Sequence, residues 1–521
     1  VLGRLAADLA HGAAEPGLLH AHAVVFAWED ATRRLHVLMD RMGTIHAYAG
    51  GAPGQRSVGT CFAAVADGST RTPDWVGITG FCGFGFYPGD RTPWSDVQIM
   101  RPATWTVLDD RGAVVSSRRT WDWWFDPDPT RTDDDLLDEF HDVWTRTVRT
   151  QIGDRPVAVP LSGGLDSRTV FAAAVPPGDA GGAARVRTLT YGYASDSVEI
   201  RTSQRVAGAR GHRATELVVG PYLFDRLADV VGAVEGFQSL CFSRQAGVSE
   251  VLAGLGDAVV GGHWGDVWFD TAGAFPAGVG GPERIDLAER GHAKFAKRGR
   301  AWLLDHVCAP NLDGADPEAV LRDLVRDELA RLPDLGDPDV TLKALKTEQW
   351  SFRWTLASVR AYQLALPTVL PFYANDVVDF FLRVPTDRLP GRRLQTAYLR
   401  RHHPRMARIT WQDTGMSLFE HPLEPAAALL HRAAAKAVRT VRRRPVIERN
   451  WEVQYLAGAG PARLATLVSD LSSPLVAGVD AGAVEWALRD LVAAPNGSNG
   501  FTIDTLATLV ASGDLARTSG A

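Results

Sequence analysis

The run Val157-Ala158-Val159-Pro160-Leu161-Ser162-Gly163-Gly164-Leu165-Asp166-Ser167 constrains this chain more than any other stretch. Its first half, with Arg155 and Pro156 before it, reads as a short buried strand, and the residues after the glycine pair read as the start of a helix. A turn of small residues placed there lets backbone N–H groups converge on phosphate oxygens, and the helix adds the positive end of its dipole. Ser162 and Ser167 supply hydroxyl donors, and Asp166 supplies a hard oxygen ligand of the kind Mg²⁺ takes. The lysine and the spacing of a Walker loop are missing.

The flanking sequence sets the fold class. Leu136, Leu137, Phe140, Val143, Trp144 and Val148 recur at helical spacing within 133–150, and further strands are expected at Val186 to Tyr191 and at Asp257 to Val260. Strands alternating with helices predict a doubly wound parallel sheet with its site at the carboxyl ends of the strands. Beyond about residue 285 the pattern turns helical, through 342–364, 376–382 and 425–441.

Residues 21–115 read differently, as short β runs broken by Gly, Pro and Asp: 23–27, 35–39, 61–65 and 105–108. The segment Asp126-Pro127-Asp128-Pro129 then reads as a linker, so the expected division is a β-rich domain over 1–130 and an α/β domain with a helical C-terminal part over 131–521. Val1 opens a segment that reads as a helix rather than a signal peptide, and the chain is expected to start partway into a domain.

Composition narrows the function classes. The 521 residues are 45% hydrophobic and 22% charged, which is globular rather than disordered composition. A formal charge of −6 gives no field to gather a polyanion, so nucleic acid is not an expected partner. No apolar run approaches the ~18 residues of a membrane span, so a soluble, cytoplasmic protein with no membrane partner is expected. Cys61, Cys82, Cys241 and Cys308 form neither a CxxC pair nor a zinc-spaced cluster and read as buried thiols.

Ser162-Gly163-Gly164-Leu165-Asp166-Ser167 resembles the pyrophosphate loop of the ATP pyrophosphatases and, in its Leu-Asp-Ser form, is most similar to the class B asparagine synthetase family. Weaker matches run alongside it. Asp40-Arg41-Met42-Gly43 and Tyr87 to Trp94 resemble segments of that family's glutaminase-like N-terminal domain. Thr188-Leu189-Thr190 resembles its adenine-holding strand, Ser195 to Ala207 the helix after it, and Gly262-His263-Trp264-Gly265-Asp266 its second pyrophosphate loop. The resemblance implies ATP and Mg²⁺ as cofactors. Ser162, Gly163, Gly164, Leu165, Asp166, Ser167, Leu189, Thr190 and Gly262 would bind the nucleotide; Asp166 and Asp266 would hold the metal; Asp166, Asp266 and Glu199 would serve catalysis.

Departures from the family pattern shape what is expected. Its glutamine-hydrolysing members need a cysteine as first residue, and none precedes Cys61, so the N-terminal domain is expected to be a degenerate, inactive one unless residues precede Val1. The second loop has Val267 where the family has a glutamate, Pro367 replaces the glutamate of its relay, and no lysine stands within 409–415. The phosphate half of the site is retained and the acceptor half rebuilt. The expectation is amide-bond formation through an acyl-adenylate without glutamine hydrolysis, on a carboxylate substrate with a tethered or separate amine. A precursor peptide closed to a macrolactam, as by the lasso cyclases, is the favoured form. An amidotransferase or small-molecule amide synthetase, a nucleotide-binding scaffold without turnover, and an RNA-modifying pyrophosphatase relative stand as alternatives, the last disfavoured by the acidic charge.

Other residues carry a bland reading beside the chemical one. His263 suits a phosphate donor or a structural ring; Lys343, Lys346, Arg353 and Arg360 suit an adenylate-facing row or surface charge; Tyr362 and Tyr373 suit proton relays. The basic residues from Arg432 to Arg449 suit a solvated helix face or a docking surface for an acidic peptide.

Overall fold

The computed structural model describes residues 21–52, 56–176, 178, 184–193, 197–274, 286–420, 449–513 and 515. The expected opening helix, the expected helix over 425–441, Ser195 and the basic residues from Arg432 to Arg444 lie outside the described residues.

Alternating apolar residues close to the amino end produce two antiparallel sheets. Strands β1 (Val24–Glu29), β2 (Arg34–Met39), β6 (Thr104–Leu108) and β7 (Val114–Arg119) form one in the order β1-β2-β6-β7; β3 (Tyr48–Gly50), β4 (Ser57–Gly59) and β5 (Val97–Ile99) form the other in the order β4-β3-β5. Val37, Met39 and Leu108 from the first sheet pack with Ala49 and Val58 from the second. The run 61–65 is a correction to the expected strand: Phe62–Ala66 is a helix with Cys61 at its N-cap. Glu235, far off in sequence, accepts the Ala63 N–H at 3.1 Å and stabilises that helix end, which no local pattern announces. Cys61 is exposed, against expectation, while the other three cysteines are buried.

Helix α1 (Trp75–Phe84) follows, then α2 (Asp133–Ile152), which starts at a Thr132/Asp135 capping box and buries the apolar stripe read from its sequence. The remaining strands, β8 (Val157–Pro160), β9 (Val186–Gly192), β10 (Thr215–Val218), β11 (Ala258–Val260) and β12 (Thr368–Val369), form a parallel sheet in the order β10-β9-β8-β11-β12. The chain leaves β8 toward β9 on one side and later returns to β11 on the other, so the order reverses between β8 and β11, where open α/β sheets keep their ligand crevice. Helices α3 (Leu165–Ala174), α4 (Val198–Gly208) and α5 (Gly265–Phe269) follow β8, β9 and β11. Later come α6 (Pro317–Ala330), α7 (Pro338–Lys346), α8 (Arg393–His402), α9 (Asn450–Leu456) and α10 (Gly497–Ser512). The fold is thus a β-rich part followed by a doubly wound parallel sheet with a helical C-terminal part, and no described helix is long and apolar enough to cross a membrane.

The three-stranded sheet and the parallel sheet share one continuous apolar cluster, while the four-stranded sheet packs in two smaller ones. Charged fasteners cross the same boundary. Arg101 forks onto Glu328 with two bonds of 2.8 Å, Arg41 bonds Asp379 at 2.6 Å, and Arg360 reaches Glu235 at 2.8 Å and the His46 ring at 2.6 Å. Arg353 is buried and donates to the Tyr87 carbonyl at 2.6 Å. Arg353 and Arg360 are therefore interior tethers between the two parts, neither surface charge nor adenylate contact.

Candidate functional site

Ser162, Gly163 and Gly164 form the turn after β8, and Gly164 is the N-cap of α3 with no side-chain cap on the helix end. An uncapped N-terminus keeps its orphan N–H groups and its dipole available to an anion. The two serine hydroxyls lie 3.0 Å apart, the Ser162 N–H donates to Ser167 Oγ at 3.1 Å and the Gly164 N–H to Ser162 Oγ at 3.2 Å, which fixes the turn. Leu165 is fully buried and anchors the start of the helix.

The loop after β11 meets this turn directly. A Cβ on Gly262 would stand 2.9 Å from the Ser167 nitrogen, and one on Gly265 would stand 2.8 Å from Asp166 Oδ1. Trp264 adopts φ 75°, a left-handed conformation costly for a bulky residue, and its buried indole is held by Thr347 Oγ1 at 3.2 Å. That turn delivers Asp266 beside Asp166, whose carboxylate accepts the Asp266 N–H. Burial, reinforced by Asp266 and partly offset by Arg392, pushes the Asp166 carboxyl up to about 6.

Two cations flank the aspartates. Arg392 Nη1 lies 3.3 Å from Asp166 Oδ1, aimed by a Gly391-Arg392 turn in which both residues have positive φ, and Gln395 donates to the same oxygen at 2.9 Å. Lys346 Nζ lies 5.9 Å from the Trp264 ring centre; burial lowers its pKa and the Asp266 charge opposes that shift. Of the four basic residues read as one row, only Lys346 reaches the aspartates; Lys343 is buried against the Trp268 carbonyl. Nothing local announces Arg392, because the turn that aims it lies over 220 residues from the loop it serves.

A third segment lies over the first loop. Gln412 donates its N–H to the Gly163 carbonyl at 3.2 Å, and its side chain occupies the space that a Cβ on Gly163 would need. The fully buried Arg168 holds that segment by donating to the carbonyls of Met406 at 3.1 Å, Ile409 at 2.9 Å and Thr410 at 3.1 Å. This is the region where no lysine was found.

The structure thus gathers Ser162, Gly163, Gly164, Leu165, Asp166, Ser167, Gly262 and Asp266 at the β8/β11 crevice, with Leu189 and Thr190 on β9, the strand beside β8, and Glu199 in α4. Leu189 and Thr190 are fully buried within β9: the Leu189 carbonyl accepts the Leu161 N–H at 2.7 Å, and the Thr190 hydroxyl donates to Ser203 at 3.1 Å. The first accessible side chains beyond them are Tyr191 and Tyr193. Glu199 is half-buried in the first turn of α4, where burial raises its pKa against the pull of Arg244 rather than of either aspartate. His263 follows Gly262; burial and Arg244 push its ring down to about 4, so it is neutral near pH 7. Tyr373 is buried with its hydroxyl 2.5 Å from Ser351, and burial raises its pKa.

Residues 139–254 match the family model described as asparagine synthase, a segment that contains the first loop, β9, α4 and β10 and ends before the second loop. No curated protein matches the chain.

Proposed function

We propose, on the premise of that family match and of the loop geometry, that the protein is an ATP-dependent synthetase that forms an amide bond through an acyl-adenylate. The contact of Gly262 with the Ser167 backbone carries the reading, because it makes one anion cradle of two loops at the switch point of the sheet. The uncapped N–H groups of α3 would bind the β- and γ-phosphates, which leave together as pyrophosphate.

The donor set fits Mg²⁺. Two carboxylates side by side, with no third acidic, histidine or cysteine partner among the described residues, match an ion that takes one or two carboxylates and completes its shell with substrate phosphates and water. Bound there, the ion would neutralise phosphate charge. Arg392 and Lys346 would hold the rest of that charge from either side. A carboxylate oxygen bonds to the α-phosphorus as the bond to pyrophosphate breaks. The neutral amine then bonds to the acyl carbon, AMP leaves, and the amine loses one proton. A tethered amine, as in a precursor peptide closing to a macrolactam, is the finer form of this reading, and the basic segment that suggested it lies outside the described residues.

Calorimetric titration with Mg²⁺ and a non-cleavable α,β-methylene ATP analogue tests the core claim. Binding is expected for the intact protein and not for Asp166→Ala; equal binding by both would remove the metal-site assignment. A nucleotide-binding scaffold without turnover is the second reading. It is favoured by Val267, buried where the family has an acid, and by Gln412 against Gly163. Pyrophosphate release in the presence of carboxylates and amines separates the two.

A further inference from the structure

Beside the second loop the described residues enclose a cavity of about 780 Å³, and the site described above uses none of it. Its rim includes His263, the residue after Gly262, and Tyr193, the residue just past β9, so it opens at the strand ends that carry the phosphate loops. Its far wall is made by residues 449–451 and by the start of α10.

Charge in the cavity is one-sided. Arg244, Lys297, Arg298 and Arg449 line it, and Asp504 is the one carboxylate among the described lining residues. Asp504 is already committed to the Tyr455 hydroxyl at 2.6 Å and the Cys241 N–H at 3.2 Å. Among the described residues Lys297 has ring faces as neighbours for its charge, Trp350 at 4.3 Å and Trp354 at 5.7 Å. Arg244 lies over the Tyr191 ring at 5.5 Å and is the lining cation whose charge reaches His263. Among the described residues no carboxylate bridges Lys297, Arg298 or Arg449, and Arg244 interacts with Glu199 without a salt bridge; cations so placed in a concave site suit an anionic ligand.

Five aromatic side chains stand among the small and polar residues of the remaining lining. Tyr193, Phe242, Trp354, Trp451 and Phe501 face the space, and Phe242 stays 47% exposed although its ring packs edge-on to Trp354 at 4.9 Å. An exposed phenyl ring inside a cleft of rings offers a stacking face to a flat ligand. The volume suits a ligand of drug size rather than one as small as aspartate.

We propose that this cavity is the pocket for the acid substrate and that it selects an aromatic carboxylic acid, with the ring against Phe242 and Trp354 and the carboxylate at Arg244. The proposal rests on the acyl-adenylate reading, since the acid must reach a phosphate held at the adjoining loops. Arg244 keeps the carboxylate ionised, as attack requires, and Lys297 and Arg298 accommodate further negative charge on the same molecule.

The test uses the full chain and two readouts. Direct binding, followed by tryptophan fluorescence without nucleotide, compares indole-3-acetate and phenylacetate with hexanoate, and compares the free acids with N-acetyl dipeptides ending in phenylalanine. Acid-dependent pyrophosphate release with Mg·ATP repeats the series. Aromatic acids are expected to bind about tenfold more tightly than hexanoate. Arg244→Gln should weaken them about tenfold with analogue binding unchanged, Arg244→Lys falling between. Trp354→Leu should erase the preference for rings. Tighter binding of the dipeptides than of the free acids would place the same chemistry at a peptide end. Equal binding of hexanoate, or full binding by Arg244→Gln, overturns the pocket. Analogue binding with no acid bound overturns it too while leaving the nucleotide site standing; acid binding without pyrophosphate release keeps the pocket and removes the adenylation.

Discussion

Arg168→Met tests how the first loop is covered. The substitution removes a guanidinium but nearly conserves volume at a fully buried position. Two opposing quantities set the outcome. Burial pushes Arg168 down to about 10, well below the usual guanidinium range, so removing its charge relieves roughly 3 kcal/mol. Against that, the carbonyls of Met406, Ile409 and Thr410 lose their donor, at about 1–3 kcal/mol each for a buried unsatisfied group. The loss exceeds the relief by about 3 kcal/mol at the middle of that range. Urea denaturation should therefore show Arg168→Met less stable by about that amount. Limited proteolysis should cut within 406–416 far faster than in the intact protein, because Arg168 is what fastens that segment over Gly163. Arg168→Lys, with no fork to reach three carbonyls at once, should fall between. A methionine variant as stable as the parent, with the segment equally protected, would refute the reasoning.

Gly262→Ala places a Cβ 2.9 Å from the Ser167 nitrogen and 3.0 Å from the Asp166 carbonyl carbon, and backbone cannot yield as a side chain does; analogue binding should fall about tenfold and stability by about 1–3 kcal/mol, read by calorimetry and denaturation. Asp504, pushed up to about 6 by burial, binds its proton more tightly folded than unfolded, so its contribution to stability is full below about pH 4 and lost as pH rises through 6. Asp504→Asn keeps an acceptor for Tyr455 and Cys241, and should be more stable than the parent at pH 8 by roughly 1–3 kcal/mol and equal to it near pH 4; lower stability at pH 8 would contradict the sign. Cys61→Ser, at an exposed helix N-cap, should leave pyrophosphate release unchanged, and its loss would reopen the question of glutamine hydrolysis.

What could be read in advance depended on how local its cause was. β8, β9, β11 and the first loop were legible because a run of β-branched residues ending in glycines has few other uses, and the stripe on α2 because six apolar residues share one helical face. The run 61–65 was misread as a strand because its helix is steadied by Glu235 from elsewhere in the chain. Lys343 and Lys346 stand three residues apart and read alike, yet one points into the core at Trp268 and the other toward Asp266. Leu189 and Thr190 lie on the expected strand, where the Leu189 carbonyl bonds Leu161 and the Thr190 side chain bonds Ser203. Arg392 and the acid-sized cavity were illegible, since each is assembled from segments that only the tertiary fold brings together.

The walls of that cavity come from widely separated parts of the chain, Phe242 and Arg244 before the second loop and Arg449, Trp451 and Phe501 long after it. The two phosphate loops are complete in sequence by Asp266, whereas Arg449, Trp451 and Phe501 follow them by some 180 residues or more. As the chain emerges during synthesis, both phosphate loops are out, with Arg244 and Phe242, well before the cavity has its full wall.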